Sequence, residues 1–246
     1  MPFNPLAPVT DYQSMLNRIF WFTTAAAFAA VWLLRVQVPA LDVTLSQIDF
    51  AATLIGGKTA PTLGGCLLPA LVVGIATRVF GLHERISDWL EIREDFDVGV
   101  IIAELADRAG VDLVSVEQRE LRRARHGLMR EAFYPFVSGS QPAVDQHLIQ
   151  QALDAWSWFW IGVMTTALFI VTGLALIASG VTVTGLLVVG WTLIAAVVCL
   201  PAVYGQCRRY AVAQVRAIVD DPARRDVVRA AFEEITGAQV SRRLAA

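Results

Sequence analysis

The sequence predicts an all-α integral membrane protein with four transmembrane helices and a cytoplasmic helical domain between the second and third. Two adjacent apolar runs, residues 156–178 and 181–204, contain no Asp, Glu, Lys, Arg or His and are separated only by Ser179-Gly180. Each run is long enough for a transmembrane helix, because about 20 apolar residues cross the hydrocarbon core. The apolar share of the whole chain is 56%, which exceeds the roughly 45–50% of soluble domains.

Two shorter apolar segments precede this pair, and we interpret them as the first two spans. Residues 19–34 lie between Arg18 and Arg35 and would form a helix of about 24 Å. Both arginines are therefore expected to extend toward the membrane surfaces. Residues 62–82 contain Pro69 and two early glycines, which predicts a kinked second span.

Residues 38–60 are expected to form an extracytoplasmic loop between these two spans, so that residues 19–82 make a first transmembrane hairpin. Ser46 and Asp49 are spaced as a helical capping box. A short helix is expected to follow this box and to stop at Gly56-Gly57.

The composition changes at residue 83, and residues 83–155 predict the cytoplasmic helical domain. Helices are expected at about 83–96 and 98–109, the second ending at Gly110, and from a cap at Ser115. A fourth helix is expected to begin at Pro142 and to continue without a break into the third span.

The fourth span is likewise expected to continue as a helix past Tyr204 to Val219. Asp221-Pro222 predicts the start of a last amphipathic helix that ends near Gly237. Residues 205–246 would then be cytoplasmic C-terminal helices, and residues 156–204 a second transmembrane hairpin.

The distribution of arginine predicts the orientation. Nine arginines lie within residues 78–130 and eight within residues 208–243, whereas residues 38–60 carry only Lys58. Positive residues accumulate on the cytoplasmic side. We therefore expect a multi-pass protein of a prokaryotic inner membrane with both termini, including residues 1–18, in the cytoplasm.

A basic stripe and an acidic stripe occupy neighbouring helices of the cytoplasmic domain. The stripes could pair with each other or face water. Because Arg binds phosphate and carboxylate in a bidentate manner, the basic stripe is also a candidate site for a nucleotide, a lipid head group or a protein partner. The acidic stripe consists of Glu84, Asp88, Glu91 and Asp95, and the basic stripe of Arg119, Arg122, Arg123, His126 and Arg130.

Small residues on the last two spans favour close helix packing, since lipid supplies no hydrophobic force between helices. We interpret them as candidate positions for helix packing and homo-oligomerisation. These positions are Gly162, Thr166, Gly173, Gly185 and Ala196.

No motif in the sequence names a reaction, and no carboxylate lies in the middle of a span, which argues against a coupled pump. Asp145 and His147 do not share a helix face, so no metal site is predicted. The net charge of −2 gives no argument for nucleic acid binding. We expect no cofactor and no enzymatic activity.

Two hypotheses for function remain. The first is an oligomeric channel or membrane-disrupting effector, such as those of bacterial defence systems, controlled by its cytoplasmic helical domain. The second is a membrane scaffold or accessory subunit that docks a partner protein. They differ in whether the protein alone changes the permeability of a membrane.

Overall fold

The computed structural model of the chain describes residues 7–56, 64–113, 116–138 and 142–244. Within these ranges the chain is helical and contains no strand, which confirms the all-α prediction. In chain order the helices are α1 (Tyr12–Gln37), α2 (Pro39–Gly56), α3 (Gly64–Val79), α4 (Leu82–Trp89), α5 (Ile92–Phe96), α6 (Ala103–Ala109), α7 (Gln118–Leu128), α8 (Tyr134–Val137), α9 (Gln146–Ala178), α10 (Thr182–Val219) and α11 (Pro222–Leu244). Two π-helical stretches, Asp97–Ile102 and Met129–Phe133, join α5 to α6 and α7 to α8.

Three helices, α1, α9 and α10, are long and apolar enough to cross a membrane. Helices α3 and α4 add a fourth candidate if this pair, which is bent by 60°, is counted as one span. By length and composition the chain therefore has three to four candidate spans.

The chain divides into two compact units, and each unit is formed from two separate stretches. The first unit comprises Met1–Glu84 and Asp154–Tyr204, and the second comprises Arg85–Leu153 and Gly205–Ala246. Helices α9 and α10 each contribute residues to both units.

Helix α1 begins at Tyr12, before the apolar run that starts at residue 19, because a capping box sets its start. The Asp11 side chain accepts a hydrogen bond from Ser14 N at 2.7 Å, and Ser14 Oγ accepts one from Asp11 N at 3.0 Å. These two bonds satisfy backbone donors that a helix N-terminus otherwise leaves unpaired.

The segment predicted as a loop at residues 38–60 is largely helical. Helix α2 starts at Pro39, directly after the α1 cap at Val38, because proline suits the first turn of a helix. Ser46 is therefore an interior helical residue, and its hydroxyl donates to Val43 O at 2.8 Å. The capping box predicted at Ser46 is wrong, and Gly57 lies outside the described residues.

The second candidate span bends after Val79 rather than at Pro69, which lies inside α3. Gly81 has a φ of 55°, a backbone conformation that glycine adopts without steric cost, and α4 leaves α3 there. Gly74 lies against α1 so closely that a Cβ atom at this position would overlap Thr24 Oγ1. The small residue in α3 thus permits close packing of the two helices.

The helix predicted at 83–96 is broken by Glu91, which has a left-handed φ of 54°. From Ile92 the chain is helical through the first π-helical stretch to Ala109. Gly110 ends this segment with a φ of 74°, and Val111 N bonds to Ala106 O at 2.8 Å. The predicted stop at Gly110 is confirmed.

The starts of the later helices differ from the prediction in two places. Helix α7 begins at Gln118 after a cap at Glu117, and the predicted cap at Ser115 lies outside the described residues. Helix α9 begins at Gln146 rather than at Pro142, because the Asp145 side chain accepts a hydrogen bond from His147 N at 2.8 Å.

The continuous helices α9 and α10 and the start of α11 agree with the prediction. Helix α10 runs to Val219, and Asp221 Oδ1 accepts a hydrogen bond from Ala223 N at 2.9 Å as α11 begins at Pro222. The backbone of α11 remains helical to Leu244, so the end predicted near Gly237 is wrong.

Candidate functional site

Arg122 of the predicted basic stripe is held by the acidic residues that precede the first π-helical stretch. Its guanidinium pairs with Glu91, with Glu94 Oε1 at 3.4 Å and with Asp95 Oδ1 at 2.7 Å. The hydrogen bond to Glu91 contributes most to the raised pKa of Arg122. The structure thus realises the pairing alternative for this residue, because its donors are directed at the protein's own carboxylates.

A second ion pair in the same unit is buried. The Asp97 carboxylate lies 3.4 Å from Arg125 Nη1 and 4.0 Å from Arg93 Nε. Burial raises the pKa of Asp97 from 3.8 to about 6, although the two arginines oppose the shift. Because the folded unit binds this proton more tightly than the unfolded chain, ionisation of Asp97 reduces stability as the pH rises from about 4 to about 6.

The other residues of the basic stripe are exposed. Arg119 and Arg123 lie one helical turn apart on α7, and no ion pair links either of them to another described residue. The His126 ring is 3.0 Å from Arg125 Nη2, and Arg130 pairs with Glu131 at 3.1 Å. The structure therefore separates Arg122, which is internally paired, from an open basic face formed by Arg119 and Arg123.

A buried arginine joins α1 to the part of α9 that belongs to the first unit. Arg18 is 4% exposed. It pairs with Asp154 and donates to Ser157 Oγ at 3.1 Å and to Ala7 O at 2.7 Å. Its guanidinium carbon lies 5.5 Å from the centroid of the Trp158 ring, a cation–π distance.

Arg35 makes a comparable cluster at the other end of α1. Its guanidinium bonds to Asp42 and to Asp49, each at 2.7 Å. Asp49 also accepts a hydrogen bond from Gly65 N at 2.5 Å, which ties α2 to the first turn of α3. Both arginines thus pair with carboxylates of neighbouring helices, and their extension toward the membrane surfaces stays a prediction.

The candidate packing glycines lie inside the α9–α10 pair. A Cβ atom at Gly173 would lie 2.6 Å from Val189 Cγ2 and 2.9 Å from Gly185 O, and one at Gly162 would lie 2.8 Å from Leu200 Cδ2. The space beside these glycines is therefore taken by the same chain. The other two candidates are half-buried: Thr166 and Ala196.

The ion pairs of Arg18 and Arg35, which link helices of the first unit, were not predicted from the sequence. Arg18 and Asp154 are 136 positions apart, and no local pattern relates them. Asp42 and Asp49 are seven positions apart and share a face of α2, a spacing that could have indicated a common partner. In the described part of the chain, no group of His, Cys, Asp and Glu residues is arranged to hold a metal ion.

One comparison with known proteins gives a match. The model of the YmfE protein family matches residues 11–234, which include most of both units. No curated protein and no solved structure matches the chain.

Proposed function

We propose that this chain, which belongs to the YmfE protein family, is a non-enzymatic four-span protein of the inner membrane that forms homo-oligomers. In this proposal the oligomer acts as a channel or a membrane-disrupting effector, and the second unit is the cytoplasmic domain that controls it. The observation that carries the proposal is the uncovered apolar surface of α10.

Among the candidate spans, α10 contains the 18-residue segment with the highest mean hydropathy, and none of the residues in that segment is buried. Its exposed side chains recur at helical spacing on both sides of Gly190, and nothing lies within 4 Å of a Cβ atom placed on Gly190. Such a notch between large apolar residues suits close approach of a second helix. The residues around the notch are Val183, Leu186, Leu187, Leu193, Ile194 and Val197.

We favour a second copy of the chain over lipid alone as the partner of this surface, because a conducting path needs polar groups that face water. Several polar side chains of the described spans bond to the backbone of their own helix, as Thr172 Oγ1 does to Leu168 O and Thr24 Oγ1 to Phe20 O. One copy therefore offers few polar groups to face water, and a path for solutes would have to lie between copies.

The open basic face of α7 supports a receiving role for the second unit. Arg119 and Arg123 present guanidinium groups that suit a nucleotide, a lipid head group or an acidic protein partner. Helices α9 and α10 continue from this unit into the candidate spans without a break. A movement of the second unit on ligand binding would therefore be transmitted to the spans through continuous helices.

The topology is tested with reporters for the two sides of the membrane. We expect reporters placed at Gly139 and after Ala246 to be cytoplasmic and one at Gly57 to be extracytoplasmic, because the arginine-rich segments remain inside. Enzymatic reporters in intact cells measure this directly. If the reporters at Gly57 and Gly139 lie in the same compartment, the four-span arrangement is wrong.

Self-association is tested with Gly190→Leu. A leucine at this position meets open space within one copy, but it fills the notch that a second copy would occupy. We expect a smaller oligomer fraction in native mass spectra of the protein released from mild detergent, together with less dye leakage from liposomes.

The matched control is Gly205→Leu on the same helix, where the space around a Cβ atom is also open. This variant should keep the wild-type oligomer and the wild-type leakage. A wild-type protein that is monomeric and leaves liposomes sealed would exclude the channel and favour the alternative, a scaffold that docks a partner protein.

A further inference from the structure

Few of the described residues of the second unit expose a large apolar side chain, and two of them are adjacent at the end of α4. Among the described residues of this unit, four large apolar side chains are exposed: Trp89, Leu90, Tyr134 and Val227. Trp89 and Leu90 are adjacent, and Trp89 is 82% exposed. In water, such an exposed indole side chain would leave a large apolar surface hydrated, whereas tryptophan is usually largely buried.

Arg85 shares a face of α4 with Trp89, because the two residues are four positions apart. Both are exposed. The opposite face carries His83 and Ser87, which are 7% and 3% exposed. Helix α4 thus has one side against the protein and one side that presents a cation beside an indole.

This pairing is typical of the boundary between water and lipid. Trp is enriched where the acyl chains meet the head groups, and an Arg close to an anionic surface is attracted to it. A soluble protein partner could also bury Trp89, but the position of α4 directly after α3 favours lipid as the partner.

Helix α4 starts at Leu82, three positions after α3 ends at Val79, and the two helices are bent by 60°. Helix α3 has 16 residues, a length of about 24 Å, so it would cross most of the hydrocarbon core of about 30 Å. If α3 lies along the membrane normal, the eight-residue α4 of about 12 Å, bent by 60° from it, would carry the chain only about 6 Å further in that direction. The head-group layer is about 5–8 Å thick on each side. Trp89 would therefore remain within or next to this layer.

We propose that α4 is an interfacial anchor, in which Trp89 inserts at the level of the lipid head groups and Arg85 binds lipid phosphate. The proposal rests on the proposed function, because it requires the bent pair of α3 and α4 to be one of the spans. It assigns the cytoplasmic face of the bilayer as the partner of the exposed surface of α4.

The test uses the full chain in nanodiscs of phosphatidylethanolamine and phosphatidylglycerol. In a background with Cys66 and Cys207 replaced by Ala and Cys199 replaced by Ser, Trp89→Cys is labelled with an environment-sensitive fluorophore. We expect quenching by lipids that carry a nitroxide near the top of the acyl chain and protection from aqueous iodide. Adding Arg85→Glu should reverse this preference.

Two matched positions separate the possible failures. Val227→Cys lies in the same unit, is 50% exposed in the wild type and should be quenched by iodide. The native Cys199, retained alone, is exposed on α10 and should be quenched only by the nitroxide lipids.

If Cys199 is quenched by lipid but position 89 by iodide, the anchor is wrong and the membrane placement stands. If Cys199 is itself open to iodide, the proposed function is wrong as well.

A second measurement avoids the cysteine replacements. The emission of the wild type minus that of Trp89→Phe isolates the signal of Trp89. We expect this difference spectrum to be blue-shifted and to be reduced by brominated lipids. A red-shifted difference that iodide removes would overturn the proposal.

Discussion

Gly173→Leu is expected to cause a large loss of stability in the first unit. A leucine at this position would enter space already filled by Val189 and by the carbonyl of Gly185. Overpacking of a close contact costs about 1–3 kcal/mol, and the contact in question sets the approach of α9 to α10. We expect a melting temperature several degrees below that of the wild type, measured by thermal unfolding in detergent.

Gly190→Leu is the control for this effect, because it makes the same change on the other side of α10 where no atom lies within 4 Å of the added Cβ. It should lower the melting temperature only by the part that self-association contributes, and this part depends on protein concentration. Equal melting temperatures for Gly173→Leu and the wild type would show that α9 and α10 do not approach each other as described.

Asp154→Ala is expected to have the second large effect, because it leaves the guanidinium of Arg18 buried without its carboxylate. Breaking a buried ion pair costs about 3–5 kcal/mol. The Asp154 side chain is 43% exposed, so water screens part of the interaction and the lower end of this range applies. The measurement is the free energy of unfolding of the purified protein in denaturant.

The double variant Arg18→Met with Asp154→Ala distinguishes a lost ion pair from general damage. Removing both charges also removes the cost of leaving one of them buried, so the double variant should be more stable than Asp154→Ala alone. If it is less stable by the sum of the two single effects, the two residues do not interact.

The features that sequence reasoning predicted are local ones. The candidate spans α9 and α10 could be predicted because each holds a long run without charge, and the turns at Gly110 and Asp221 carry the residues that such turns require. Helix α2 was misread because Ser46 fits a cap in the sequence, whereas Pro39 starts the helix earlier. Both signals are local, and the proline determines where the helix begins.

The pairing of charges could not be predicted in the same way. The sequence shows that Arg122 lies on a basic stripe, but only the fold shows that it faces Glu91 and Asp95. Arg123 follows it directly in the chain and is exposed. The difference between the two residues depends on how α7 packs against the segment before Asp97, which no window of the sequence contains.

The π-helical stretches change the phase of the helices that contain them. A π-helical turn bonds residue i to i+5 and so holds one more residue than an α-helical turn, which rotates the following side chains by about 100° relative to a uniform helix. On a uniform α-helix Phe136 would share a face with Leu128 and Ala132, which are both buried, but Phe133 is buried and Phe136 is only half-buried. The stretch Met129–Phe133 thus changes which side chains face the core, and it ends two residues before Pro135, whose backbone has no N–H for a regular α-helical hydrogen bond.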